Sequence, residues 1–180
     1  MEPGPAERGN RRPVRGDRNL TDLHGPGALL PPTEGASRTG HDVGSIVAAL
    51  TGISRRFGIP PVLTVAVAIV ETRLTGLDHP GNPHHGWFQM QLRDLPYPTS
   101  VRPPTLAEAH DLDYAATEFC RAAVHHAGED PRCRSDLWRW AIVTQGVQYA
   151  LDRNPAFGRE RFASTLEEAE HLVEQHRGVH

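Results

Sequence analysis

The chain has 180 residues, 38% of them hydrophobic, and a formal net charge of −3 from 19 basic and 22 acidic side chains. At this length one domain with a real core is the default, and so small an acidic excess excludes the strongly basic footprint of a nucleic-acid binder. Every basic residue is an arginine, which reads as coding bias rather than function.

Residues 1–41 carry Pro3, Pro5, Pro13, Pro26, Pro31 and Pro32, many glycines and no aromatic side chain. Such a segment buries too little apolar area to offset its ordering entropy, so a disordered tail is predicted. Arg8, Arg11, Arg12, Arg15 and Arg18 offer contacts to an anionic polymer, but a solvated tail is the favoured reading. No apolar segment follows Met1, so no signal peptide is expected. The longest apolar run, Pro60 to Val70, is too short to span a bilayer.

Residues 42–180 read as helix after helix, and an all-α domain is predicted. Over 43–57, Ile46, Leu50, Ile53 and Phe57 form one apolar face, and Gly58 suits the left-handed position that stops a helix. Pro60 and Pro61 suit the first turn of the next helix. Its β-branched residues favour a strand, but the Pro-Pro start, Ala66, Ala68 and the length favour a helix, apolar all round and therefore central. A long irregular stretch, 74–104, follows; Trp87, Phe88 and Tyr97 argue that it is ordered and functional. Thr105 and Glu108 form a capping box, and a longer helix then carries Leu112, Ala115, Ala116, Phe119 and Ala123. Asp130-Pro131 breaks the chain. Ser135 is expected to cap a helix running to Leu151, with Asn154-Pro155 ending it. Overlapping capping boxes at Ser164 and Thr165 are expected to open the last helix. Cys120 and Cys133 leave a disulfide and two free buried thiols both open.

Glu71 closes the apolar run. A carboxyl group at the tip of a buried helix is partly desolvated, which favours its protonated form. A carboxylic acid still protonated near neutral pH is what acid-catalysed glycosidic cleavage needs. A Glu closing a buried helix is more often a solvated helix end. The stretch Gly86-Trp87-Phe88-Gln89-Met90-Gln91 tips the reading towards catalysis.

Four pieces occur in order: Gly58-Ile59-Pro60, Ala68-Ile69-Val70-Glu71-Thr72, Gly86 to Gln91, and Asp111-Leu112-Asp113-Tyr114-Ala115-Ala116-Thr117-Glu118-Phe119. Val147-Gln148 adds a late fifth. Together they resemble the lytic transglycosylase domains of the lysozyme-like, goose-type superfamily, most nearly the variants of actinobacterial secreted proteins and phage tail proteins. The likeness covers roughly 45–176, with Thr72 where the family has Ser, Leu112 where it has Pro, and His84-His85 where a small polar residue is usual.

The resemblance implies a helical lysozyme-like fold and cleavage of the MurNAc–GlcNAc β-1,4 bond of peptidoglycan, with Glu71 as the one catalytic acid and base. It implies action outside the cytoplasm, on the cell wall, through secretion or delivery by a virion tail. In the substrate-binding loop, Gly86 and Gln89 would face the cleft, Phe88 and Met90 would set the loop against the helix bearing Glu71, Trp87 and Tyr97 would stack on sugar faces, and Gln148 and Tyr149 would line the cleft. A lysozyme-type hydrolase is the alternative. It needs a second carboxylate about 5–9.5 Å away, for which Asp78 and Asp94 are the loop candidates. A non-catalytic glycan-binding or virion structural module is the rival from another class. No cofactor is expected. His79, His84 and His85 give no clean ligand spacing, so no metal is expected either.

Overall fold

The computed structural model describes residues 42–78, 81–147, 153–154, 156 and 158–177. The predicted tail 1–41 lies outside the described residues, as do His79, Gln148 and Tyr149. The described part is mostly helical, with α1 Val43–Arg56, α2 Pro61–Thr72, α3 Leu106–His110, α4 Leu112–Glu129, α5 Leu137–Thr144 and α6 Arg159–Gln175. A short antiparallel pair, β1 His84–His85 and β2 Met90–Gln91, lies between α2 and α3, and a 3-10 turn Pro131–Ser135 joins α4 to α5. No described helix is long and apolar enough to cross a membrane.

The axis of the domain is α2. It packs against α1, α4, α5 and α6, and every residue from Leu63 to Ile69 is buried. That explains why its β-branched residues accept a helix: burial on all sides outweighs a propensity deficit of a few tenths of a kcal/mol per residue, roughly. Both ends follow the sequence. Gly58 adopts a φ of 67° after α1, and Pro61 opens α2 where an N–H has no helical partner.

Where α1, α2 and α4 meet, a buried polar seam crosses the core. Ser54 Oγ lies 2.7 Å from the Leu50 carbonyl and 2.8 Å from Thr64 Oγ1, which is 3.9 Å from Cys120 Sγ. The seam ends on a backbone acceptor, so the hydroxyls are satisfied without water. Cys120 and Cys133 are both buried and both free, which settles the cysteine question in favour of thiols.

Three expectations are corrected. Asp136, not Ser135, caps α5, its side chain accepting from Arg139 N; an aspartate one residue on displaces the serine. The helix stops at Thr144 rather than near Leu151, because Gly146 takes a φ of 70° and its N–H turns back to the Val143 carbonyl. The last helix begins at Arg159, so Ser164 and Thr165 sit inside it. Phe162, Thr165, Ala169 and Val173 make one buried stripe, and that packing holds the helix through residues that would otherwise cap one.

The capping box at Thr105 is formed as expected. Thr105 Oγ1 accepts from Glu108 N, and the Glu108 carboxylate accepts from Thr105 N at 2.8 Å. Arg102 Nη1 donates to the same carboxylate at 2.9 Å. Arg102, then the Thr105 N–H, push the Glu108 carboxyl down to about 2 from 4.5. A carboxylate favoured in the fold stabilises it above its unfolded pKa and loses that effect as the pH falls through the folded value. Glu108→Gln is therefore expected to lower Tm at neutral pH, with the gap to wild type closing between about 4.5 and about 2. Thermal melts across that range check this; a gap that stays constant contradicts it.

Candidate functional site

Glu71 lies in the last turn of α2, half-buried. Gln145, the residue that follows α5, reaches back across the domain and donates its amide Nε2 to Glu71 Oε1 at 3.1 Å. This partner is 74 residues away in sequence, so no local pattern announces it. The adjoining Thr72 hydroxyl donates to the Ala68 carbonyl and accepts from Gly76 N, and is spent on ending the helix.

The chain leaves α2 through two consecutive left-handed residues that are not glycine, Arg73 at φ 54° and Leu74 at φ 59°. Each such conformation costs on the order of 1 kcal/mol or more and persists only when its surroundings enforce it. Here the Arg73 N–H bonds to the Ile69 carbonyl, the Leu74 N–H to the Ala68 carbonyl, and the Leu74 side chain is buried. The reversal sends Leu77 and Asp78 towards the β-hairpin.

The hairpin is turned inwards. His84 faces Gln91, His85 faces Met90, and Met90 and the connecting Trp87 and Phe88 are each only 1% exposed. Trp87 N bonds to the Ala109 carbonyl, and Trp87 Nε1 donates to the His110 carbonyl at 2.9 Å. Phe88 stacks on Phe119 of α4 with centroids 4.8 Å apart, and Tyr97 meets the same ring edge-on at 6.3 Å. Gln89, at φ 48°, folds its amide onto the Gly86 carbonyl at 3.0 Å.

These positions correct several expected site residues. Trp87 and Tyr97, at 1% and 4% exposure, offer no ring face to a sugar; they are core aromatics of the α3–α4 corner. Phe88 and Met90 are equally buried and support the hairpin rather than line a cleft. Gly86 is buried under α3. Gln89 braces its own turn. Asp94 is exposed in a turn.

Asp78 is the other centre of the site. Its Oδ1 accepts from Gly86 N at 2.8 Å and lies 3.2 Å from His110 Nε2, while Oδ2 lies 2.7 Å from His85 Nδ1. Partial desolvation pushes the carboxyl up. The His85 and Gly86 hydrogen bonds, with the nearby charge of His110, outweigh it and hold the group below its usual value. Ligand atoms of Asp78, His85 and His110 all lie within 4.8 Å of one another. Of the three histidines from which no metal was expected, His85 belongs to this cluster, His84 Nε2 meets Gln91 Nε2 at 2.8 Å, and His79 lies outside the described residues. His110, at the C-terminus of α3, joins it through the fold alone.

A Cβ at Gly86 would sit 1.8 Å from the Ala109 carbonyl oxygen, and the φ there is 69°. Gly86→Ala is therefore expected to destabilise by about 3 kcal/mol or more, since the obstacle is backbone. Gly128→Ala, helical and with open space around it, should instead stabilise by roughly 0.5–1 kcal/mol. Urea unfolding of the two variants checks the pair; equal effects contradict it.

Compared with protein families, with curated proteins and with solved structures, the chain matches none.

Proposed function

We propose that this chain cleaves the MurNAc–GlcNAc β-1,4 bond of peptidoglycan as a lytic transglycosylase of lysozyme-like fold, with Glu71 as its single acid and base. The observation that carries the reading is the setting of Glu71: a half-buried carboxyl at the C-terminus of the apolar central helix, with one oxygen held by the Gln145 amide. The negative end of a helix disfavours a carboxylate and so favours the acid form. In its acid form Glu71 passes a proton to the glycosidic oxygen as the bond to the anomeric carbon breaks. The muramic 6-hydroxyl then attacks that carbon, and its proton returns to the Glu71 carboxylate. The sugar ends as a 1,6-anhydro ring, and no water is consumed.

The competing hydrolytic route needs a second carboxylate. Asp78 is engaged on both oxygens by His85, His110 and the Gly86 N–H, and Asp94 is exposed in a turn. That favours the route that asks for one carboxylate. Both the action outside the cytoplasm and the glycan-strand partner follow from this substrate.

Glu71→Gln keeps size and hydrogen bonding but removes the proton donor, and is expected to lower muralytic turnover about 10²–10⁴-fold with the fold retained. Asp94→Asn should keep most activity, and mass spectrometry should find 1,6-anhydro-muramic ends. Reducing ends with a collapse in Asp94→Asn would make the enzyme a hydrolase; wild-type turnover in Glu71→Gln would remove the assignment. Gln145→Ala should lower kcat about tenfold with little change in KM, because it orients the acid rather than the sugar. Steady-state kinetics on soluble glycan strands separates the two parameters, and a rise in KM alone would make Gln145 a binding residue.

A further inference from the structure

Three segments converge on one point: the loop after α2 brings Asp78, β1 brings His85, and the end of α3 brings His110. The setting of His110 is the telling feature. Its Nδ1 lies 3.0 Å from the Gly76 carbonyl, an obligate acceptor, so Nδ1 carries the ring proton. Its Nε2 faces Asp78 Oδ1 at 3.2 Å, a ring nitrogen against a carboxylate. A positive species belongs between them. A ring nitrogen fixed by a backbone carbonyl, with the other nitrogen aimed at a carboxylate and a second imidazole, is the outer-shell arrangement that orients metal-binding histidines.

We propose that Asp78, His85 Nδ1 and His110 Nε2 bind one divalent transition-metal ion, with zinc as the best-fitting ion and the fourth position open to solvent. Two imidazoles with one carboxylate suit zinc rather than calcium or magnesium, which take oxygen ligands. A tetrahedral site with bonds near 2.0–2.1 Å spaces its ligands about 3.3 Å apart. The His110–Asp78 separation of 3.2 Å matches that value, the His85–Asp78 separation of 2.7 Å is shorter, and all the ligand atoms lie within 4.8 Å of one another. All three side chains are one-quarter to one-third exposed, at 33%, 26% and 35%, so an ion enters without unfolding. The ion would clamp the hairpin to α3 and to the loop that leaves Glu71. This site does not depend on the glycan chemistry proposed above.

The test uses the full chain, stripped with chelator and titrated with zinc chloride by calorimetry, with cobalt(II) absorption as the second readout. Expected is one saturable zinc per chain at micromolar affinity or tighter, and visible cobalt bands of a four-coordinate N/O site. Zinc should also raise Tm. His85→Ala and His110→Ala should each weaken binding at least tenfold. The control His125→Ala/His126→Ala, on α4, should leave it unchanged. His85 sits on the half-exposed hairpin strand, so its variant keeps the test sound if His110→Ala fails to fold. Absence of saturable binding below millimolar zinc overturns the site and leaves a proton as the bridging charge. Binding that survives both His85→Ala and His110→Ala, or is lost in the His125/His126 control, overturns it as well.

Discussion

Trp87 and Phe88 occupy the tip of a hairpin and yet are buried almost as completely as the core of the central helix. Everything between Glu71 and α4 depends on that inversion. The segment has little regular structure of its own, so its path must be fixed by what it buries. Two large rings inserted against α3 and α4 supply the apolar anchoring. The indole N–H and the Trp87 backbone N–H supply the direction by bonding to consecutive carbonyls at the end of α3. Two glycines make the approach feasible: a Cβ at Gly76 would lie 2.6 Å from the Trp87 ring, and one at Gly86 would strike α3 itself. A hairpin plugged this way cannot slide by one residue without exposing both rings.

The plug also sets the geometry around the central helix. Asp78 is held to the hairpin by the Gly86 N–H and His85, so the loop between Glu71 and Asp78 is tied at both ends. Between those ties the chain has room only for a sharp reversal, and Arg73 and Leu74 accept left-handed backbone to make it. Across the domain, Gln145 holds the Glu71 carboxyl from the opposite side. Among the described residues the Glu71 side chain is thus supported locally by a strained reversal and at long range by a polar contact.

Much of the helical frame was legible because its signals are local. A glycine after Arg55-Arg56-Phe57, a proline pair before an apolar run, and Thr105 with Glu108 each encode a helix end within four residues. The same kind of signal misled at Ser164 and Thr165, where a buried stripe from Phe162 to Val173 overrode it. Glu71 was legible as a candidate because an apolar helix ending in a carboxylate is a one-dimensional pattern. The direction in which Trp87 and Tyr97 point is not. An aromatic residue in a glycine-rich loop reads as an exposed platform, and only the presence of Phe119 and Ala109 opposite turns it inwards. Gln145 and His110 were invisible for the same reason: each acquires its role from a partner 74 and 32 positions away.

The free thiols bear on where such a chain can work. Burial pushes the Cys120 thiol up to about 11 and raises that of Cys133 as well. At neutral pH only on the order of one Cys120 side chain in 10⁴ is a thiolate, and the thiolate is the form that attacks and oxidises. Both sulfurs are also sealed beneath helices. The covalent state of the domain is therefore the same in a reducing cytosol and in an oxidising exterior. With no bond to make or lose, the fold asks for neither an oxidant nor an isomerase.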